Sequence, residues 1–241
     1  MGQNAFKKSV IRVEELVMRK SASRKKLIFA AVIAILIVFA VVLLYHFNYI
    51  PHRKYSGEHF GITQYISGTD RDGDGIDDQT DLLNSVRAYL DTKPKYKSKY
   101  YTSGYPDDEY GVCTDVVAFG LLGAGYDLQE LMDADITQSP EDYGIEKPDK
   151  NIDFRRVVNM AVYFKKYAVS LTTDTSEIDQ WQGGDIVVWK HHVGVISDMR
   201  NSKGVPFVLH NGSPYQAGYE QDVLETYGEI LGHYRISPLS E

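Results

Sequence analysis

An uninterrupted apolar run from Leu27 to Tyr45 constrains this chain more than any other feature of its sequence. At about 1.5 Å of rise per residue, a helix of this length nearly crosses a hydrocarbon layer of about 30 Å. Residues 47–49 are apolar enough to complete the span. A cleaved signal peptide has a shorter apolar region followed by small residues, whereas bulky side chains follow here. We therefore expect an uncleaved transmembrane signal anchor at residues 27–49.

Basic residues dominate the segment before the apolar run. Residues 1–26 contain eight lysines and arginines and only two glutamates. The positive-inside rule therefore keeps this basic segment in the cytoplasm and places everything after residue 49 outside the cell membrane. Because the whole chain has a formal net charge of −7, the outer part must be strongly acidic. Such a surface argues against binding to nucleic acid.

We expect residues 50–69, in which glycines interrupt any regular pattern, to form a stalk. The acidic stretch that follows, at residues 70–81, has the ligand spacing of a calcium loop. Calcium loops carry oxygen ligands at positions 1, 3, 5, 7, 9 and 12 and a glycine at position 6. Glycine occupies position 6 here, and the ligand positions are filled by Asp70, Asp72, Asp74, the Ile76 carbonyl, Asp78 and Asp81. The stretch resembles one dockerin calcium loop, without the second repeat that a dockerin uses to grip its partner. We expect one structural Ca²⁺; the alternative is a solvated acidic turn.

Residues 82–237 have the pattern of one α+β domain. Helical patterns come first, and the last of them, residues 151–166, has Asp153 as its expected N-cap. Runs of strand length rich in β-branched residues follow at residues 185–189, 192–197, 206–210 and 230–236. Helices followed by antiparallel strands predict helices packed on an antiparallel sheet.

The only cysteine of the chain, Cys113, begins one of the helical patterns. The positive end of a helix dipole and its unpaired N–H groups favour a thiolate, which is the form that acts as a nucleophile. The alternative is a small buried hydrophobic residue. A nucleophilic thiol needs a base and a group that orients the base. His192 begins one strand and His210 ends the next, and antiparallel pairing would bring these two ends together. His191 would face the opposite side of its strand.

The motif order around these residues resembles the NlpC-type cell-wall peptidases, a branch of the papain-like cysteine peptidases. The motifs are "GVCTDVV", "GDIVVW", "HVGVISD" and "VLHN". Together with "NIDFRRVVN" and "GHYR", they resemble still more closely a bacterial family catalogued as domain of unknown function 1287, placed in the same superfamily. The resemblance implies a papain-like fold in which Cys113 is the nucleophile, His192 the general base and His210 the orienting residue. Asn211 is the alternative third residue, because papain has an asparagine in that role.

The resemblance also implies a function. We expect a membrane-anchored cysteine amidase or endopeptidase that cleaves peptidoglycan stem peptides or another peptide substrate outside the cytoplasmic membrane. Arg156 and Asp153 are candidates for binding a substrate carboxylate, or they form an internal salt bridge. One alternative is an acyl or peptidyl transferase on the same residues. Another is a non-catalytic, calcium-stabilised scaffold that binds the cell wall. The sequence does not identify a protein partner.

Overall fold

The computed structural model describes residues 2–236, and in the first helix it describes the side chains of Lys7, Arg12 and Glu14 and of residues 18–20 and 24–46. Position 237, where we expected the domain to end, lies outside the described residues. The chain divides into two units, Met1–Ile50 and Pro51–Glu241.

The first unit is one long helix, α1, which runs from Gly2 to His46. Its part Met18–His46 has a mean hydropathy of 3.5 in its most apolar window and is long enough to cross a membrane. A signal sequence near an N-terminus has the same length and composition. The helix ends three residues before the expected position 49, because Asn48 adopts a left-handed conformation with φ of 60°.

The second unit begins with most of its helices and ends with most of its strands. Its α-helices are α2 (Asp78–Asp91), α3 (Cys113–Gly123), α4 (Leu128–Gln138), α5 (Lys150–Asp153) and α6 (Val157–Tyr167). Two short 3₁₀ helices lie at Gly57–Phe60 and Pro140–Tyr143. Its strands are β1 (Tyr55–Ser56), β2 (Lys95–Tyr96), β3 (Tyr110–Gly111), β4 (Val169–Ser170), β5 (Ile186–Trp189), β6 (His192–Arg200), β7 (Pro206–Leu209), β8 (Glu220–Gln221) and β9 (Ile230–Arg235).

Seven of these strands form one antiparallel sheet in the order β4-β9-β5-β6-β7-β8, with β1 paired to β6. Only β2 and β3 lie outside it, as a short parallel pair. The expected α+β class, helices with an antiparallel sheet, is therefore confirmed.

Both faces of the sheet are covered, as the fully apolar strand β5 requires. Successive side chains of a strand point to opposite faces. Ile186 and Val188 accordingly belong to the core beneath α2, α3 and α6, whereas Val187 and Trp189 belong to a second, smaller core with Trp181. The larger core holds the helix that begins at Cys113 against the sheet.

A glycine allows α3 to lie close to α2. A Cβ atom at Gly120 would come within 2.4 Å of Val86 Cγ2, so no larger residue fits there without displacement. The close approach fixes α3 between α2 and the strands, and with it the position of the helix start.

Two expectations about local structure were wrong. Residues 50–69 are not a free stalk, because Tyr55 and Ser56 pair with the end of β6 and Ile62 is buried. Asp153 is not an N-cap: it is the last residue of α5, and the cap is Asp149, whose side chain accepts a hydrogen bond from the Asn151 N–H. The expected single helix at residues 151–166 is instead divided, because α5 ends at Asp153 and α6 begins at Val157.

Candidate active site

A buried ion pair holds the start of the cysteine helix. Cys113 is the first residue of α3, and the Asp115 side chain accepts a hydrogen bond of 2.8 Å from the Val112 N–H. The Arg155 guanidinium donates to both Asp115 oxygens, at 2.6 and 3.0 Å, and to the Lys99 carbonyl at 2.7 Å. Asp115 and Arg155 are both buried, so the pair ties the helix start to the loops around it.

The Cys113 thiol is nearly inaccessible, with 9% of the residue exposed. Burial raises its pKa to about 11, and the charge of Asp115 acts in the same direction. Hydrogen bonds from the backbone N–H groups of Val193, Thr114 and Cys113 itself lower the pKa, but by less. The helix N-terminus therefore supplies the expected donors, but burial outweighs them, and the thiol is neutral at pH 7.

His192 and His210 form a hydrogen-bonded pair at one end of the sheet. His192 is the first residue of β6, His210 directly follows β7, and the register Val195 to Leu209 brings them together. Nε2 of His192 lies 2.9 Å from Nδ1 of His210. Burial lowers the pKa of His192 to about 2, with a further contribution from His210, and it lowers the pKa of His210 to about 4. Both imidazoles are therefore neutral at pH 7.

Three further residues enclose this imidazole pair. Gln221 on β8 places Oε1 3.0 Å from Nε2 of His210. The Tyr227 ring stacks on His192, with ring centroids 4.2 Å apart. Gly212 lies so close that a Cβ atom there would come within 2.9 Å of both imidazoles. The pair is thus held from several sides in one arrangement.

His210, rather than Asn211, contacts the candidate base. The Asn211 side chain donates to the Pro94 and Gly111 carbonyls, at 2.9 and 3.0 Å, and so joins two loops. His191 is exposed, but it lies in the turn before β6 rather than on the strand, where the sequence analysis had placed it.

Asp153 and Arg156 lie in a different region of the surface. They help to line a cavity of about 600 Å³ formed by residues 144–153 and 156, which does not include the cysteine or either imidazole. Asp153 is buried and accepts a hydrogen bond of 2.6 Å from the Asp149 N–H, while its other oxygen lies 3.6 Å from Arg156 Nε. Arg156 is the exposed member of the two.

The acidic loop brings three of its expected ligands together. Asp70, Asp72 and Asp74 each offer an oxygen, and these atoms lie within 4.8 Å of one another. Asp81 is close enough for its pKa to be raised to about 6, by burial and then by the charges of the other loop aspartates. Asp78 differs, because it is buried and its carboxylate accepts hydrogen bonds from Thr69, Tyr126 and the Arg71 N–H.

The sequence analysis did not identify the residues that enclose the imidazole pair. Gln221 and Tyr227 lie in a segment without a recognisable motif, and they reach the site only through the pairing of β8 with β7 and the fold of the loop after it. Gly212 follows Asn211 directly in the sequence, but its close approach to the imidazoles depends on tertiary structure.

These features define the class: an α+β domain with a buried thiol at a helix N-terminus and an imidazole pair at the end of an antiparallel sheet. The chain belongs to the family described as domain of unknown function (DUF1287), whose sequence profile matches residues 83–236. It is 37% identical over 152 residues to the uncharacterized protein YijF of Escherichia coli (strain K12), an alignment that covers 59% of this chain and 72% of YijF. No solved structure matches the chain significantly.

Proposed function

We propose that this protein is a membrane-anchored, extracytoplasmic cysteine hydrolase that cleaves amide bonds, with peptidoglycan stem peptides as its substrate class. The observation that carries the proposal is the hydrogen-bonded pair of His192 and His210 beside β6, the strand whose Val193 N–H contacts the Cys113 sulfur. A nucleophile, a base and an orienting group are the parts that acyl transfer by a thiol requires. The papain-like architecture and the wall substrate rest on the motif resemblance.

The reaction follows from the protonation states at the site. Because thiol and imidazole are both neutral at pH 7, His192 takes the thiol proton as the sulfur attacks the amide carbonyl carbon. The Cys113 N–H, at the start of α3, would help to stabilise the resulting oxyanion. The C–N bond then breaks, and the amine leaves with the proton from His192. Water, deprotonated by the same imidazole, hydrolyses the acyl-enzyme and restores the thiol.

We propose that the acidic loop binds one calcium ion. Asp70, Asp72 and Asp74 fit, because three carboxylate oxygens in close proximity repel one another without a cation, and Asp81 can join them. The Ile76 carbonyl is the expected backbone ligand. Asp78 is assigned to holding the loop, since Thr69, Tyr126 and the Arg71 N–H already bind its carboxylate. The ion would stabilise the entry into α2.

The anchor is proposed on the length and composition of α1 and on the basic residues before its apolar part. The positive-inside rule then predicts that the catalytic unit lies outside the cytoplasmic membrane. A signal sequence would place the same unit outside without retaining it, so both readings give the domain access to the cell wall.

The burial of the thiol favours a second candidate, a non-catalytic wall-binding scaffold. Cys113 and the two histidines are nearly inaccessible, so a substrate reaches them only if the cover that includes Tyr227 moves. A scaffold would need no such movement. Because acyl transfer by a thiol requires a base and an orienting group, and a scaffold requires neither, the buried imidazole pair leads us to favour the hydrolase.

The test is mass spectrometry of purified peptidoglycan fragments incubated with the full chain in detergent and calcium. New fragments should form with the wild type and be absent with Cys113→Ala, whose melting curve should stay close to that of the wild type. Joined products would indicate a transferase. No product from the wild type, together with equal binding of fragments by both proteins, would indicate the scaffold.

A further inference from the structure

Three buried side chains form one line of hydrogen bonds that ends at the candidate base. Oε1 of Gln221 lies 3.0 Å from Nε2 of His210, and Nδ1 of His210 lies 2.9 Å from Nε2 of His192. At most 6% of any of the three residues is exposed, so water does not compete for these atoms. Within residues 2–236, no other side chain hydrogen bonds to either ring.

The amide oxygen can only accept a hydrogen bond, and this fixes the protons along the line. Nε2 of His210 must carry a proton to donate to the Gln221 oxygen. A neutral imidazole has a single N–H, so Nδ1 of His210 is then an acceptor. Nε2 of His192 must therefore donate to it, which leaves Nδ1 of His192 without a proton. That nitrogen is the only one in the pair with a free lone pair.

We propose that Gln221 is a positioning residue that selects the tautomer in which Nδ1 of His192 is unprotonated and able to accept the thiol proton. The use of that nitrogen as a base rests on the proposed hydrolase activity, whereas the tautomer itself does not. If the Gln221 side chain were rotated so that its NH₂ group faced His210, every donor and acceptor in the line would be exchanged. Nδ1 of His192 would then carry a proton and could not act as the base.

Neighbouring groups do not impose a charge on the pair. Tyr227 stacks on His192 and interacts with Cys113, and burial raises the pKa of both side chains, that of Tyr227 to about 12. Glu220, adjacent to Gln221, is instead bonded to Ser197 and Lys54. The glutamine amide is therefore the group that orders the protons.

The direct test is ¹⁵N NMR of the full chain in detergent micelles, labelled only at its 7 histidines. Protonated and unprotonated ring nitrogens have well-separated ¹⁵N shifts, and single histidine substitutions assign the signals. Both His192 and His210 should be protonated at Nε2 and unprotonated at Nδ1. Protonation at Nδ1 of either ring would overturn the proposal, and this measurement needs no Gln221 variant.

Two substitutions separate positioning from packing. Gln221→Glu keeps an acceptor and should preserve both tautomers, whereas Gln221→Leu removes it and should produce mixed tautomers at both rings. Gln180→Leu makes the same substitution at an exposed glutamine that does not contact either imidazole, and it serves as the control. Unchanged ring signals in a folded Gln221→Leu protein would also overturn the proposal.

Alkylation of the single cysteine by iodoacetamide gives a second readout that requires no substrate. A general base typically contributes a factor of about 10² to 10⁴, so loss of its orientation in Gln221→Leu should slow alkylation at neutral pH by roughly tenfold or more. Gln221→Glu should retain most of the wild-type rate. If the tautomers are as expected but no amide bond is cleaved, the hydrolase proposal fails and the role of Gln221 in the line of hydrogen bonds stands.

Discussion

The Cys113 thiol is subject to two opposing effects. The helix N-terminus and the N–H groups around the sulfur favour the thiolate, and a helix dipole contributes about 0.3–1 kcal/mol to such a charge. Burial acts the other way, and a pKa raised from 9.0 to about 11 corresponds to about 3 kcal/mol in favour of the neutral thiol. In the proposed hydrolase, the thiolate would therefore form during the attack, by transfer of the Cys113 proton to a neutral imidazole.

Gly212 controls the spacing of the imidazole pair. A Cβ atom at this position would lie 2.8 Å from the Tyr227 hydroxyl and 2.9 Å from both His192 Cε1 and His210 Nδ1. We predict that Gly212→Ala separates the imidazoles, with a loss of about tenfold or more in the alkylation rate of Cys113. The loss should be accompanied by shifted ¹⁵N signals of both rings.

Gly218 provides the matched control, because a Cβ atom there meets nothing within 4 Å. Gly218→Ala should leave the alkylation rate and the ring signals unchanged. Equal behaviour of the two variants would show that steric contact at Gly212 does not govern the pair.

At the scale of elements, the acidic loop and α2 form one structural piece. Asp77 caps α2 through the Thr80 N–H, and its side chain also accepts a hydrogen bond from the Ser67 N–H. Burial, and after it the charges of the adjacent carboxylates, raise the pKa of Asp81 to about 6. A bound calcium ion would replace this repulsion by attraction and hold the loop against the helix start.

We predict that chelation of calcium lowers the melting temperature of the protein. With a Kd of about 10⁻⁴ M and about 1 mM calcium, binding stabilises the folded state by about 1.4 kcal/mol, which raises the melting temperature by about 3–6 °C. Differential scanning fluorimetry with and without EGTA measures the change. Asp72→Asn should lose most of this response, whereas Asp91→Asn, at the exposed end of α2, should keep it. A wild-type melting curve that ignores EGTA would contradict the calcium site.

The elements that the sequence predicted are those determined by local pattern. The helix start at Cys113 and the strands around His192 and His210 follow from periodicity and β-branched composition, and the antiparallel register then brings the imidazoles together. The two-residue strand β1 carries no such pattern, because it forms only through pairing with β6. The same holds for Gln221, whose place beside His210 depends on β8.

Protonation of the site could be predicted less well than its composition. Residue types and spacing indicated a thiol and a base, but burial is a property of the folded chain. Tyr227 stacks on His192 from 35 positions away in sequence, and it interacts electrostatically with Cys113 from 114 positions away. Burial strengthens the preference of all three groups for the neutral form, and this effect follows from tertiary structure alone.

For the molecule as a whole, the imidazole pair links folding to pH. Burial keeps His192 and His210 neutral in the folded state, with pKa values of about 2 and about 4, whereas both take up protons near pH 6.5 when unfolded. As the pH falls below about 6.5, the unfolded state binds more protons than the folded state. We predict a decrease in the free energy of unfolding of up to about 1.4 kcal/mol per pH unit for each imidazole. Urea denaturation between about pH 5 and about pH 7, with calcium present, measures this slope.

Single substitutions assign the slope to its source. His210→Gln removes one of the two buried imidazoles and should reduce the slope by about half. His191→Gln changes an exposed neighbour and should leave it as in the wild type. A slope unaffected by His210→Gln would mean that other groups dominate the acid sensitivity.

The described sheet ends on each side in a strand of only two residues, β4 and β8. Edge strands expose unpaired N–H and C=O groups that recruit strands from other chains, and short edges leave few such groups. Copies held on one membrane by the proposed anchor would meet far more often than the same number in free solution. This domain offers its neighbours hardly any backbone to pair with, so a dense population of copies can remain individually folded.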